Sequence, residues 1–241
     1  MMAPLVGSGL WFGSSGNNGR GIFAIGNTTT TTNIYTYANN AVTTGTNLTA
    51  GVEGGSAAGN SAIGIFALGN NAPTTNIYTY SSNGVVAGTS LTEATQVGSA
   101  AGNSTIGIFA LGYSGSGYTP TTNIYTYSNN GVTVGTSLTA DLYFGAATGN
   151  STLGIFAIGN TTTTTNIYTY ANNAVTTGTN LTGDESEGAA TGNSTLGVFA
   201  MGSGTNTTNV YTYKNNGVTT GTSLTADLRI GTAASTSPGG F

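Results

Sequence analysis

Seven carboxylates are the densest source of chemistry in this sequence, and their placement follows a rule. Glu53, Glu93, Asp141, Asp184, Glu185, Glu187 and Asp227 each fall two to six residues after one of five leucines, Leu48, Leu91, Leu138, Leu181 and Leu224. A ring of such groups could hold Ca²⁺ or a basic partner. Ca²⁺ takes about six to eight oxygens packed together, and only the stretch Gly183–Glu187 is dense enough to supply several. Acids brought together from different segments could also form the carboxylate pair of a glycosidase. Spaced one at a time, they read instead as solvated charge that keeps a neutral surface soluble. The rest of a catalytic inventory is thin. There is no His to act as a base, no Cys nucleophile, and the single lysine, Lys214, has no partner in sequence. The expectation is a protein that is not an enzyme and carries no cofactor and no metal.

Aromatic and amide groups offer binding rather than catalysis. Ten of the thirteen tyrosines stand in five Tyr-Thr-Tyr stretches, such as Tyr125-Thr126-Tyr127. Paired rings of this kind either pack one sheet against the next or form a platform for sugar rings. Strand spacing favours packing. Two further tyrosines, Tyr113 and Tyr118, lie in a longer insert. With Glu53, Glu93, Asp141, Asp184 and Asp227 they make up the candidate interaction face. Asn-X-Ser/Thr triplets at Asn27, Asn47, Asn103, Asn150, Asn160, Asn180, Asn193 and Asn206 are candidate sites of glycan attachment.

The elements that carry these groups come from a repeat. Gly-Ile-Phe-Ala-Leu-Gly or a close variant begins at Gly21, Gly64, Gly107, Gly154 and Gly197, at spacings of 43, 43, 47 and 43 residues. A fixed period marks supersecondary units that bury their apolar faces against one another. The 241 residues therefore read as one repeat domain, 1–241, with five units beginning near residues 13, 56, 99, 146 and 189. Each unit opens on a short small-residue strand. A six-residue Gly-bounded run follows, too short for a helix. After an insert comes the alternating strand Asn-Ile-Tyr-Thr-Tyr, with its tyrosines on one face. An Asn-Asn or Asn-Gly turn follows, then a last strand, in the first unit Val42–Thr49 anchored by Leu48. The third unit is longer through its insert Tyr113–Pro120, expected to be an exposed loop. Gly154–Thr182 repeats Gly21–Thr49 without a difference. Four short strands per unit mean an all-β fold. A period near ~43 fits a β-propeller of five four-stranded blades. The alternative is a β-solenoid with two rungs per repeat.

Composition narrows the partners. Arg20, Lys214 and Arg229 are the only cations and the net charge is −4. That is too little positive charge to displace phosphate counterions, so no nucleic-acid partner is expected, nor a polybasic membrane contact. No apolar run is long enough to span a bilayer. The opening Met1–Gly13 lacks a basic region and reads as a poor secretion signal. Thr, Asn, Gly and Ser abound, yet disorder needs high charge and few apolar residues, and here apolar residues recur in register.

Within unit four, Ala146-Ala147-Thr148-Gly149-Asn150, then Gly154-Ile155-Phe156-Ala157-Ile158-Gly159, Tyr168 or Tyr170, and Leu181 follow the order of a kelch repeat. The resemblance covers nearly the whole chain, five times. The glycine pair of that family is here Gly-Asn, Gly-Tyr or Gly-Ser, and Gly135 or Thr136 stands where its tryptophan would be. The resemblance implies four-stranded blades around a central channel.

These readings converge on a structural or interaction propeller displayed outside a cell or on a virus particle, a self-assembling building block of an appendage or fibre. The alternative is a carbohydrate-binding, lectin-like propeller or adhesin. Expected partners are further copies of the chain, as homo-oligomer or polymer, and a glycan. The ends carry one more expectation. Strands two to four occur five times, but the opening strand has six candidates, including Ser14–Asn18 and Thr232–Ser235. The surplus can be a tail, can replace the first copy, or can complete a sheet in a neighbouring chain.

Overall fold

The computed structural model describes residues 19–228. The described residues contain nineteen strands and no helix. The first sheet is β1 (Arg20–Ala24), β2 (Thr32–Thr36) and β3 (Ala41–Thr44). The second is β4 (Ser56–Gly59), β5 (Ile63–Ala67), β6 (Thr75–Thr79) and β7 (Gly84–Ala87). The third is β8 (Ser99–Gly102), β9 (Ile106–Tyr113), β10 (Tyr118–Thr126) and β11 (Gly131–Val134). The fourth is β12 (Ala146–Gly149), β13 (Leu153–Ala157), β14 (Thr165–Thr169) and β15 (Ala174–Thr177). The fifth is β16 (Ala189–Gly192), β17 (Leu196–Ala200), β18 (Thr208–Thr212) and β19 (Gly217–Thr220). Strands pair antiparallel in chain order within each sheet. The first strands of neighbouring sheets, β4, β8, β12 and β16, touch one another in turn. They are built of Ser, Ala, Thr and Gly, small enough for close approach at a centre. The last strands lie half-buried to exposed at the rim. This is a five-bladed β-propeller, and separate antiparallel blades exclude the solenoid.

The apolar pattern explains how blades stack. Along Gly64–Gly69, Ile65 and Ala67 join one core cluster while Phe66 and Leu68 join another. Successive side chains point to opposite faces of a strand. A run apolar at every position therefore belongs to a sheet covered on both faces. Each cluster combines the Ile-Ala-Leu face of one blade with the Phe-Leu-Tyr-Tyr face of the next. Between blades 2 and 3, Ile65, Ala67 and Leu91 meet Phe109, Leu111, Tyr125 and Tyr127. We call the first the trailing face and the second the leading face. The tyrosine pair is thus core.

Two expectations change. The last strand of unit one ends at Thr44, not Thr49. Leu48 anchors a loop instead, its N–H donating to the Thr30 carbonyl at 2.8 Å and its side chain buried beneath the next blade. A Cβ on Gly45, where the chain leaves the sheet, would stand 2.3 Å from Thr32 Oγ1 and 2.7 Å from the next blade's Tyr78 hydroxyl, so only glycine fits there. The longer insert is not a loop. It lengthens β9 and β10 into a hairpin, with Tyr113 paired to Tyr118 and a bulge between Thr119 and Thr122. Only its tip, Gly115-Ser116, and Tyr118 are exposed. The first blade shows three strands among the described residues; both sequence candidates for its opening strand, Ser14–Asn18 and Thr232–Ser235, lie outside them, as do Trp11, Phe12 and the whole of Met1–Gly13.

Units one and four share a sequence but not an environment, which gives an internal control. Tyr168 is fully buried, whereas its counterpart Tyr35 is only half-buried. Tyr168→Ala is expected to lower unfolding free energy by ~3–5 kcal/mol, and Tyr35→Ala by clearly less. Thermal and urea unfolding of dilute protein would check this; equal losses would contradict it.

Candidate functional site

The structure is richest in specific chemistry at the joints between blades. In β6, Tyr78 donates its hydroxyl to Asn83 Oδ1 across its own turn. That same amide oxygen accepts the Thr46 N–H of the preceding blade at 3.2 Å, and Thr46 Oγ1 donates to the Asn83 carbonyl. Asn83 can serve both because it sits at φ 53°, a conformation Asn tolerates. Two residues before Tyr78 in β6, the buried Asn76 completes the lock. Its Oδ1 accepts the Thr49 N–H at 2.7 Å and its Nδ2 donates to Thr49 Oγ1 at 2.7 Å. Asn123, Asn166 and Asn209 make the same amide contact with Thr92, Thr139 and Thr182. At these joints the buried asparagine amides are satisfied at both oxygen and nitrogen, as burial requires.

A second staple lies in the connections. Val52 bridges to Thr29 of its own blade, and the next residue, Glu53, bridges to Gly69 of the following blade. Insert and connection therefore share one end of the propeller, which carries the acids. Gly69 has φ 70°, and a Cβ there would stand 2.0 Å from the Glu53 carbonyl oxygen. This is why each apolar run closes on glycine.

The candidate face residues are dispersed along that end. Glu93, Asp141, Asp184 and Asp227 are exposed and Glu53 is half-buried. Among the described residues no three acids gather closely enough to share a metal ion. Tyr113 and Tyr118 do come together, with ring centroids 5.4 Å apart. They meet two aromatics that the sequence reading passed over: Tyr118 stacks edge-on against Tyr143 at 4.2 Å, and Tyr143 against Phe144 at 4.8 Å. Tyr118 is 40% exposed. The signal was there, an aromatic pair in a connection beside the one long insert.

Of the glycan triplets, Asn27, Asn47, Asn160, Asn180 and Asn193 are exposed, and Asn103, Asn150 and Asn206 half-buried. Asn103 and Asn150 already use the nitrogen a glycan would need. Each donates Nδ2 to the next blade, to Ser151 O at 3.3 Å and Ser194 O at 3.4 Å, while Oδ1 caps its own hairpin.

Glu185 departs from the reading of solvated loop charge. It is fully buried, at the position held by Val52, Thr95, Leu142 and Leu228 in the other units. That column, mostly apolar, was the signal for its burial. Oε1 accepts the Gly188 N–H at 3.1 Å, while Oε2 has no partner. Desolvation pushes its carboxyl well above the ordinary value of 4.5, and the Gly188 bond only partly offsets that.

No family model matches the chain, and no curated protein matches it. Among solved structures it is similar to one titled "Structure of YjhT", with a TM-score of 0.72 and 8% identity over 96% of this chain and 88% of that one. At that identity the likeness shows the fold alone.

The buried carboxyl sets a pH dependence. A carboxyl whose folded pKa lies above its unfolded value is most favourable to folding below the unfolded value, and that contribution is lost as pH rises toward the folded one. The melting temperature should therefore fall as pH climbs from about 4.5. Glu185→Gln is expected to flatten this slope and to raise the melting temperature at neutral pH. Scans of both proteins between acid and neutral pH would check it; parallel curves would contradict it.

Proposed function

We propose that this propeller is a non-enzymatic structural and interaction protein, a self-assembling building block of an extracellular or virion appendage. The observation that supports the reading is a set of large apolar side chains exposed among the described residues. Ile25 on blade 1 is 41% exposed and Leu224 on blade 5 is 38% exposed. Their counterparts elsewhere, such as Ile158 and Leu138, are 2% and 4% exposed. Val42, Val86 and Val134 on the outermost strands are more exposed still; exposed apolar groups mark interaction sites, and a net charge of only −4 gives little repulsion against association. The kelch-like order of the repeat belongs to the same reading. Its support is the small-residue inner strand, the positive-φ glycine closing strand two and the tyrosine strand.

A second reading, carbohydrate binding, is favoured by one feature, the Tyr113–Tyr118–Tyr143–Phe144 group on the insert-bearing end. An exposed ring seated on other rings is a stacking surface for a sugar face.

Electron microscopy of the purified chain at rising concentration separates these. Fibres or larger rings are expected, and single propellers at every concentration would count against the assembly reading. For the carbohydrate reading, binding on a glycan array that disappears in Tyr118→Ala is the expected result, with the melting temperature held; no binding by the parent protein would end it.

A further inference from the structure

In a chain of near-copies, unit three alone builds an aromatic group outside the core. Tyr113, Tyr118, Tyr143 and Phe144 belong to none of the four core clusters. Where this unit has Tyr143 and Phe144, the others carry Glu53 and Gly54, Gln96 and Val97, Ser186 and Glu187, and Arg229 and Ile230. The second of these positions is left-handed wherever it is described: φ is 59° at Gly54, 52° at Val97, 53° at Phe144 and 59° at Glu187. That conformation suits glycine and is disfavoured for a bulky side chain. A strained aromatic that adds nothing to the core points to function. The rings also stand on a braced backbone. The Tyr143 N–H donates to the Ile158 carbonyl at 3.0 Å, and the Tyr143 carbonyl accepts the Asn160 N–H at 2.9 Å. Tyr113 pairs with Tyr118 across the hairpin. The hairpin tip rests on blade 2, where a Cβ on Gly115 would stand 2.9 Å from Asn71 Oδ1.

We infer that Tyr118 and Asp141 form a docking site for an arginine side chain of a partner protein. This rests on the interaction reading above and names the partner's chemistry. Three observations choose the occupant. The first is shape. Tyr118 is 40% exposed, and the half-buried Tyr113, Tyr143 and Phe144 back it. One open ring, rather than an enclosed cage, suits a planar cation laid on its face. The second is the donor inventory. The Tyr113 hydroxyl donates to the Gly115 carbonyl at 3.1 Å. Partial desolvation and a hydrogen bond with Tyr143 push the Tyr118 hydroxyl up to about 12, so the ring stays neutral. With its phenols so engaged, the group offers a π face and acceptors. A guanidinium is the matching ligand, since it carries five donors and no acceptor. The third is charge. The Leu142 N–H donates to the Thr119 carbonyl at 3.3 Å, which sets the exposed Asp141 beside the strand that bears Tyr118. The described cations lie at the other end of the strands: Arg20 opens β1, and Lys214 stands in the turn after β18. Arg229 lies outside the described residues. A guanidinium stacked on Tyr118 can give two parallel hydrogen bonds to the Asp141 carboxylate. A lysine ammonium is more strongly hydrated and is not planar, so it gains less here.

Three blocked peptides test the site: Gly-Arg-Gly, Gly-Lys-Gly, and the neutral analogue with citrulline in place of arginine. Each is titrated into protein labelled on its tyrosine rings and followed by NMR. Saturable shifts of the Tyr118 ring are expected with the arginine peptide, weaker ones with lysine and none with citrulline. Tyr118→Phe should keep the affinity, and Tyr118→Leu should lower it by ~2–5-fold. Asp141→Asn should lower it as well and flatten its dependence on salt. Melting temperatures should hold in all three variants, because neither residue belongs to a core cluster. Asp184→Asn, an acid of the same end in another connection, is the control and should change nothing. An equal loss in Asp184→Asn and Asp141→Asn would mean attraction to diffuse charge and would overturn the inference. Arginine binding that survives Tyr118→Leu unchanged would overturn it too. So would Tyr118 shifts produced by methyl glucoside and not by arginine, which would support the sugar reading instead. Assemblies seen by microscopy with no arginine effect at Tyr118 would end this site while leaving the wider interaction reading intact.

Discussion

The fold depends on one steric exchange: a glycine after the last strand of each of blades 1 to 4 makes room for a tyrosine hydroxyl of the next blade. Gly88 shows it. A Cβ there would lie 2.5 Å from the Tyr125 hydroxyl, so any side chain would push the ring out of the joint. With the ring seated, Phe109 meets it edge-on at 6.3 Å, Leu91 closes one side, and Asn130 at the tip of the next hairpin can accept the Thr89 N–H at 3.0 Å. Each large residue is therefore buried by a neighbour's absence of bulk. Because the units carry few other large side chains, no blade could bury its tyrosines alone, and stability accumulates joint by joint.

The sequence displayed the strands and their faces but not where the chain departs from them. Runs such as Gly-Ile-Phe-Ala-Leu-Gly and Asn-Ile-Tyr-Thr-Tyr carry their own periodicity, and Asn40, Asn83, Asn130, Asn173 and Asn216 take the positive φ expected of the turn. The early end of the last strand was not legible, because the Leu48 that marked it is buried against the next blade from a loop rather than from a strand. Nor was the hairpin at Tyr113–Tyr118, since a Ser-Gly-rich insert reads the same whether or not its flanks pair. Glu185 was missed for a different reason. Acids were sorted by distance from a leucine, which merges the exposed Asp184 with the buried residue beside it. Sorting by the column of Val52, Thr95, Leu142 and Leu228 separates them.

The near absence of charge follows from the same architecture. Asparagine and threonine do the work that ion pairs do elsewhere, and they do it in buried places. Asn166 and Asn209 are fully buried and their side-chain oxygens and nitrogens are satisfied across the joint. A neutral amide loses less on desolvation than a charged group would, and its two donors and two acceptor sites fit a backbone N–H, a carbonyl and a hydroxyl at once. Glu185 shows the contrast: one unpartnered carboxylate oxygen in a comparable setting shifts its ionisation strongly.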